Sequence, residues 1–286
     1  TDDLLHAMQA LSQLSYGPEL RRGGWGSTSR ERIVPRFEGR SNGWRRGRVG
    51  PRLVGGAGGI GRGGGAGGTV WRMAADARFP MLTVFDHPLI QHKLSQLRDG
   101  GTGYRPFRAL LSQIAGLMLF EATRTFRTEE VRVETPVGRA SGVRLAGVVT
   151  VVPVLRAGLG MAEGILDLMP EARVGHIGLF RDEQTLVPTT YLSKLPVDID
   201  GGPVVLVDPM LATGGSASRA VTLLREAGVG DVRFMCLVAA PPGVQRFAED
   251  HPEVPIYTAA LDHELDERGF IVPGLGDAGD RMYGTG

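Results

Sequence analysis

The chain has 286 residues, of which 42% are hydrophobic, enough to fill the core of one large domain or two small ones. The net charge of +1 is unevenly divided, because residues 1–78 hold 13 arginines and six acidic residues, a charge of +7, which leaves −6 for residues 79–286. The longest mostly apolar run, 145–155, is too short to span a bilayer. With one cysteine and a beginning unlike a secretory signal, the chain is expected to be cytoplasmic.

Residues 1–78 are predicted to be a Gly/Arg-rich extension without a core of its own. They contain 18 of the 43 glycines and all three tryptophans, and only residues 3–14 show the apolar spacing of a short helix. Such a composition buries too little apolar area to offset chain entropy, so we expect disorder. The tract Gly59–Gly64 fits the pattern G-x-G-x-x-G, but neither a strand nor a helix flanks it, and it is therefore weak support for a nucleotide site.

Two interpretations of this extension stay open. An Arg/Gly segment with aromatic residues could bind RNA non-specifically. Alternatively, the start of the chain is assigned too far upstream, since 30 arginines against two lysines are typical of GC-rich coding DNA, and Met73 or Met81 would then be the first residue. We favour the second interpretation.

From residue 79 onwards the pattern predicts one α/β domain, 79–286. Two amphipathic helices come first, and an alternating stretch follows that is typical of a hairpin strand. Continuous apolar runs then alternate with helical ones, which indicates a doubly wound, mainly parallel sheet. The predicted helices are 87–97, 105–124, 158–169, 216–228 and 241–251, and the predicted strands are 131–137, 147–155, 174–180, 204–208, 232–240 and 256–262.

The stretch VVLVDPMLATGGS, 204–216, carries the most specific chemistry. Asp208 ends a buried strand, and the following loop reaches Gly214 and Gly215 at the start of a helix. Ligands of parallel sheets lie beyond the carboxyl ends of strands, and backbone N–H groups at a helix start bind phosphate. Thr213 and Ser216 could add hydroxyl donors or cap the helix. The pattern predicts a 5-phosphoribosyl site, because the acid could accept hydrogen bonds from the ribose hydroxyls close to the loop that binds the phosphate. Many other α/β folds also have an acid at a strand end followed by a Gly-rich turn.

An arginine follows each of two earlier strands. Arg156 comes directly after the strand 147–155, and Gly158 and Gly160 begin the next helix. A guanidinium group is a planar, permanently charged fork that suits a diphosphate, although an arginine at a strand end could equally be ion-paired. Arg181 stands at the end of the next strand, 174–180.

These motifs resemble those of the type I phosphoribosyltransferases, and specifically of the uracil phosphoribosyltransferases. Pro209 stands where most of the wider group has a second acid, a feature of the uracil enzymes. The similarity covers about residues 82–286 and includes HPLIQHKL, TGYRPFRALL, VVPVLRAGLGM and GFIVPGLGDAGDRMYG. It implies the type I fold with a β-arm and a C-terminal hood loop. The implied reaction transfers the phosphoribosyl group of 5-phosphoribosyl 1-diphosphate (PRPP) to N1 of uracil and releases UMP and diphosphate, a pyrimidine salvage step.

The resemblance also implies the residues of the site. Arg156, Asp208 and Asp277 would be catalytic, and a flexible β-arm over the site would contain Asp182, Glu183 and Thr185. PRPP would be bound by Arg156, Arg181, Asp208, Pro209, Met210, Leu211, Ala212, Thr213, Gly214, Gly215, Ser216 and Asp277, and uracil by Ile271, Gly276, Asp277 and Ala278.

The C-terminal run 269–284 contains five glycines and Pro273, and is predicted to be a shaped loop rather than helix or strand. Its backbone groups could match the acceptor, donor and acceptor along the edge of uracil and exclude cytosine. Phe270 stands where many relatives have tyrosine, and the missing hydroxyl puts a supporting hydrogen bond in doubt but not the activity.

The resemblance further implies a Mg²⁺ ion carried mainly by PRPP, GTP as an allosteric activator in some members, and a homodimer or larger homo-oligomer. We expect no metal site built from protein side chains alone, no membrane and no nucleic acid partner. Two alternatives remain: a regulatory protein on the same fold that senses nucleotides and binds RNA, and a transferase for another base. The acidic charge of residues 79–286 argues against the first.

Overall fold

The computed structural model describes residues 74–75, 78–181 and 188–285. Most of the predicted extension 1–78 lies outside the described residues, as do Asp182, Glu183 and Thr185. The described α-helices are α1 (Pro88–Arg98), α2 (Tyr104–Ala122), α3 (Leu159–Leu168), α4 (Gly215–Glu226), α5 (Pro241–Asp250) and α6 (Ala278–Tyr283), and a 3₁₀ turn spans Ile199–Gly201. The described strands are β1 (Ala74–Ala75), β2 (Leu82–Val84), β3 (Thr128–Thr135), β4 (Gly138–Leu145), β5 (Thr150–Leu155), β6 (Arg173–Val174), β7 (His176–Arg181), β8 (Pro188–Lys194), β9 (Val204–Val207), β10 (Met210–Leu211), β11 (Val232–Ala239), β12 (Ile256–Leu261), β13 (Glu264–Leu265) and β14 (Ile271–Val272).

The central sheet has the strand order β1-β2-β12-β11-β9-β5-β7-β8, with β10 beside β11 and β6 beside β5. The pairs from β2 across to β7 are parallel, and only the outermost strands β1 and β8 run antiparallel to their neighbours. The predicted mainly parallel sheet is therefore confirmed.

Helices cover both faces of this sheet, because its central strands are apolar on both sides. In β9, Val205 and Val207 pack into one core with residues of α1, α2 and α3, whereas Val204 and Leu206 pack into a second core with α4 and α5. Side chains alternate between the faces of a strand, so a continuous apolar run fills two cores at once. This is the doubly wound arrangement expected from the sequence.

The predicted helices and strands are found in place, and their ends differ for local reasons. The strand predicted from 147 begins at Thr150, because Gly147 has φ of +85° and turns the chain before it enters the sheet. The strand predicted over 174–180 is divided into β6 and β7 at Gly175. Of the predicted strand 131–137, residues 131–135 belong to β3, which pairs with β4 over eight residues as an exposed hairpin, and residues 136–137 form its turn.

One expectation was wrong. The C-terminal run 269–284 was predicted to be irregular, but it contains β14, paired with β13, and the six-residue helix α6. The helix forms because Asp277 caps it and because Ala278 and Met282, four residues apart, both face the core.

Among the described residues, no helix is both long and apolar enough to cross a membrane. Cys236 is fully buried in β11, where desolvation raises the pKa of its thiol to about 12. A thiol in this environment stays protonated, so it is unreactive at neutral pH.

Candidate active site

The pairing of β5 with β9 brings two of the predicted groups to the same edge of the sheet. Pro153 lies opposite Val207, so Arg156 and Asp208 both follow the carboxyl ends of adjacent parallel strands. Between them Gly158 contacts the backbone so closely that a Cβ atom there would lie 2.5 Å from the Val207 carbonyl oxygen. A glycine is therefore required at 158 for the two loops to meet.

Asp208 lies half-buried at this edge, with its own N–H donating to the carbonyl of Met235. Desolvation raises the pKa of its carboxyl group to about 7, and a hydrogen bond from the backbone of Met210 lowers it in part. The folded protein thus holds an acid that changes its charge close to neutral pH, as ligand-binding acids often do.

The loop after Asp208 is fixed against the neighbouring strand. The carbonyl of Pro209 accepts hydrogen bonds from the N–H groups of Leu237 and Val238, and Met210–Leu211 form β10 beside β11. Pro209 and Leu211 are buried, so these two residues can offer a ligand only backbone groups.

Helix α4 begins at the end of this loop with Gly214 as its N-cap residue. Gly214 has φ of +81° and has no side chain that could cap the helix. The N-cap residue is therefore Gly214, and neither Thr213 nor Ser216 occupies that position. Since the first backbone N–H groups of a helix have no acceptor within the helix, those of Gly215 and Ser216 are oriented to bind an anion.

Two glycines let this loop pack against the start of α5. A Cβ atom on Gly214 would lie 2.7 Å from the carbonyl oxygen of Gly243, and one on Gly243 would lie 2.3 Å from that of Ala212. Side chains at these positions would push the loop and α5 apart. Gly243 was not singled out from the sequence, where it follows two prolines and resembles an ordinary helix start.

Arg156 faces the C-terminal segment. Its guanidinium lies 3.5 Å from the carboxylate of Asp280 and 5.7 Å from the centre of the Tyr283 ring, and the Tyr283 hydroxyl donates to the Arg156 carbonyl at 3.4 Å. The peptide bond between Leu155 and Arg156 is cis. The ion pair is long and more than half of the Arg156 side chain is exposed, so the guanidinium remains available to an anion.

The residues predicted to contact uracil lie on both sides of one tight turn. Ile271 and Ala278 have buried side chains, whereas Gly276 and Asp277 are exposed. The Asp277 carboxylate accepts a hydrogen bond of 2.9 Å from the Asp280 N–H and so caps α6. This contact gives Asp277 a structural role that the sequence did not indicate.

Other predicted residues are placed only in part. Arg181 is the last residue of β7 and pairs with Pro188, and its side chain lies outside the described part of the structure. Phe270 lies beneath the guanidinium of Arg268, 5.0 Å from it. Its backbone N–H donates to the Asp266 carboxylate, so the turn between β13 and β14 is closed without a tyrosine hydroxyl.

Three charged residues near the turn were missed by the sequence analysis. Arg98 and Asp262 form an ion pair at 2.6 Å that also binds Gly274, and Arg281 donates to the carbonyl of Leu275. They come from distant parts of the chain, and isolated charged residues carry no motif, so only their shared position reveals them.

Among the described residues no cluster of three or more His, Cys, Asp or Glu side chains could hold a metal ion. Of the carboxylates at this edge, Asp208 follows β9, whereas Asp277 caps α6 and Asp280 lies in the first turn of that helix. Mg²⁺ commonly keeps several waters and binds through substrate phosphates with one or two carboxylates. The donors present therefore fit an ion brought by a phosphorylated substrate, rather than one held by the protein alone.

Comparison with known families decides the assignment. The family model described as uracil phosphoribosyltransferase matches residues 84–285. The chain belongs to the uracil phosphoribosyltransferase family. Among curated relatives, it is 54% identical to the uracil phosphoribosyltransferase of Dictyoglomus thermophilum over 206 residues, 72% of this chain and all of the relative. The enzyme of the same name from Bacillus licheniformis is 58% identical over 203 residues, 71% of this chain and 97% of the relative.

A solved structure of a protein from Aquifex aeolicus is also similar, with 37% sequence identity and a TM-score of 0.68, over 71% of this chain and 97% of that one. The predicted family, fold and activity are thereby confirmed. As a uracil phosphoribosyltransferase, the chain is a pentosyltransferase that joins the phosphoribosyl group of PRPP to uracil and gives UMP and diphosphate.

Proposed function

We propose that this reaction takes place at the carboxyl edge of β5 and β9, with its binding tasks divided among three loops. The observation that carries the proposal is the meeting of these loops. Gly158 touches the end of β9 before Asp208, and Arg156 contacts the segment that carries Asp277 and Asp280. A diphosphate, a ribose and a base bound side by side need adjacent subsites of this kind.

In this proposal the loop 212–216 binds the 5-phosphate of PRPP. The N–H groups at the start of α4, the positive end of the helix dipole and the close approach allowed by Gly214 all favour an anion there. Asp208, four residues before this loop, accepts hydrogen bonds from the ribose hydroxyls. Pro209, Met210 and Leu211 connect the two subsites through their backbone, which β11 holds in place.

Arg156 and Arg181 would bind the diphosphate and stabilise the charge that it gains as it leaves. The C1 atom of the ribose then acquires positive character, and N1 of uracil attacks it from the opposite face. Catalysis of this kind relies on positioning and on charge stabilisation rather than on a covalent intermediate. A Mg²⁺ ion bound through PRPP oxygens would supply further positive charge at the leaving group.

The turn 271–278 would recognise uracil through its backbone. Ile271 and Ala278 have no polar side-chain atoms and are buried, so any hydrogen bonds that they make to a base come from N–H and C=O groups. A rigid backbone matched to uracil leaves polar groups unpaired when cytosine occupies the site. Asp277 would orient the base or the ribose from its position at the start of α6.

GTP activation, a homo-oligomeric state and a cytoplasmic location stay predictions that this proposal does not need. A regulatory RNA-binding role on the same fold also stays open, and RNA retention with and without the extension tests it. For the chosen function, UMP formation is measured from uracil, PRPP and Mg²⁺, with cytosine and a purine base as competing acceptors.

Arg156→Ala tests the division of tasks. We expect the KM for PRPP to rise about tenfold or more, because a charged hydrogen bond contributes about 1.5–3 kcal/mol. The affinity for UMP, which has no diphosphate, should change much less. Arg139→Ala, which removes an exposed arginine of the β3–β4 hairpin, is the matched control. Equal losses for PRPP and UMP would exclude Arg156 from the diphosphate subsite.

A further inference from the structure

A partly buried ion pair between Arg98 and Asp262 holds the turn that precedes α6. Arg98, the last residue of α1, donates through Nη1 and Nη2 to the two carboxylate oxygens of Asp262, at 2.8 and 2.6 Å. Asp262 follows β12, and its side chain is only 6% exposed, against 22% for Arg98. Two parallel hydrogen bonds between a guanidinium and a buried carboxylate fix both groups in position.

Both ends of this pair bind Gly274. Arg98 Nη1 donates to the Gly274 carbonyl at 2.9 Å, and the Gly274 N–H donates to Asp262 at 2.9 Å. Gly274 has φ of +60°, and a Cβ atom there would lie 2.0 Å from the Ile271 carbonyl oxygen. The backbone thus folds tightly on itself at this residue, and the ion pair satisfies both of its polar groups.

A second arginine ties the same turn to the same end of α1. Arg281 donates to the carbonyl of Leu275 at 2.9 Å and to the carbonyl of Asp99 at 2.6 Å. Its guanidinium also lies 4.5 Å from the centre of the Phe107 ring. The turn is therefore held from two sides against a fixed part of the core, between Ile271 and Gly276.

We propose that Arg98 and Asp262 are positioning residues for base recognition. Through Gly274 they hold the backbone of the turn 271–276 in the shape that matches the edge of uracil, and they set the affinity for this base without touching it. The inference rests on the proposed function, in which Ile271 and Gly276 contact uracil. The groups proposed to bind PRPP lie on other elements, namely Arg156, Asp208 and the loop 212–216. Binding of PRPP should therefore be largely independent of the ion pair.

The test compares KM values for the two substrates in Arg98→Met, Arg98→Lys and Asp262→Asn. We expect Arg98→Met to raise the KM for uracil about tenfold or more and the KM for PRPP by less than about threefold. The substitution removes the hydrogen bond from Arg98 to Gly274 and leaves the carboxylate of Asp262 buried without its partner. Arg98→Lys keeps the positive charge but not the planar guanidinium, so its KM for uracil should lie between those of the wild type and Arg98→Met. In the double variant Arg98→Met/Asp262→Asn the effects should combine less than multiplicatively, as expected of groups in direct contact.

Arg225→Met is the matched control. Arg225 also binds a carboxylate, that of Glu253, and the backbone carbonyls of Val229 and Gly230, but it lies at the opposite end of the sheet. The variant Arg225→Met should lower the melting temperature without changing the KM for uracil. An equal rise in both KM values for Arg98→Met, or the same uracil effect in the control, would overturn the inference. If Arg98→Met does not fold, Arg98→Lys and Asp262→Asn are judged by the same criterion.

Gly276→Ala separates this inference from the proposal on which it rests. Gly276 has φ of +68° and is exposed, so alanine distorts the turn directly. If Gly276→Ala raises the KM for uracil but the Arg98 and Asp262 variants do not, the turn binds uracil, and the positioning role proposed for Arg98 and Asp262 is wrong. If Gly276→Ala also leaves that KM unchanged, the proposed uracil contacts themselves are wrong.

Discussion

The carboxyl group of Asp208 shows how burial changes the acidity of a single residue. Its pKa of about 7, against an ordinary value of 3.8, means that the folded chain retains a proton that the unfolded chain has already released at pH 5 or 6. The free energy of unfolding of the ligand-free protein should therefore decrease as the pH rises from about 4 to about 7, because the native state then binds more protons than the unfolded state. Hydroxyl groups of a bound ribose would offset part of this cost.

Asp208→Asn should separate activity from stability. We expect turnover to fall about a hundredfold or more, because an amide accepts hydrogen bonds from the ribose less strongly than a carboxylate does. The ligand-free variant should gain stability relative to the wild type as the pH rises from 5 to 8, since no charge is buried at the higher pH. Thermal unfolding at both pH values, together with UMP formation, measures the two effects.

If the difference in unfolding free energy between Asp208→Asn and the wild type does not change with pH, Asp208 does not titrate between pH 5 and 8. Turnover close to that of the wild type would exclude the ribose role.

At the scale of elements, the shape of the proposed phosphate loop, 212–216, depends on how closely α4 approaches α5. Gly214 and Gly243 face each other without side chains, and the loop between β10 and α4 lies against the start of α5. Since backbone meets backbone there, the geometry of the N–H groups that would bind phosphate is determined by packing as well as by the sequence of the loop.

Gly214→Ala should disturb this geometry. The residue has φ of +81°, and its new Cβ atom would lie 2.7 Å from the Gly243 carbonyl oxygen. We expect a loss of about 1–3 kcal/mol in the free energy of unfolding, from the strained φ and the close contact. The KM for PRPP should rise more than that for uracil, as steady-state kinetics with each substrate varied in turn would show.

Gly230→Ala is the control for this change, because a Cβ atom there meets nothing within 4 Å. If both variants affect PRPP binding equally, the contact between α4 and α5 does not shape the phosphate subsite.

For the whole molecule, two described residues before the predicted boundary at residue 79 pair with the central sheet. Strand β1, Ala74–Ala75, pairs with β2, and Phe79 is buried in the core beneath α4 and α5. The Met81 carbonyl also accepts a hydrogen bond from Ile256. Of the two candidate starts, Met73 keeps β1 and Phe79, whereas Met81 removes both.

Shortened chains that begin at Met73 and at Met81 should therefore behave differently. We expect the chain from Met73 to keep the activity of the full chain, because residues 1–72 precede the matched family region, 84–285. The chain from Met81 should unfold at a lower temperature, since removing a buried phenylalanine side chain costs about 3–5 kcal/mol. Melting temperatures and UMP formation of all three chains test both statements, and inactivity of the Met73 form would place the extension within the functional unit.

The sequence by itself was sufficient to determine the type of fold and to suggest the candidate ligand loops. Buried parallel strands are apolar on both faces, and an acid followed by a Gly-Gly-Ser helix start lies within one short stretch, so both features have local patterns. Asp208 and the loop to Ser216 could be selected for this reason, and α6 was missed because glycines at 276 and 279 hid a helix that Asp277 caps.

Only the tertiary structure decided which distant residues support these loops. Arg98, Asp262 and Arg281 meet at one turn, although up to 183 positions separate them along the chain, and Gly243 matters only because Gly214 lies against it. The raised pKa of Asp208 likewise depends on the atoms that exclude water around it. Desolvation and close contact are properties of three-dimensional packing, and neither leaves a periodic or local signal in the sequence.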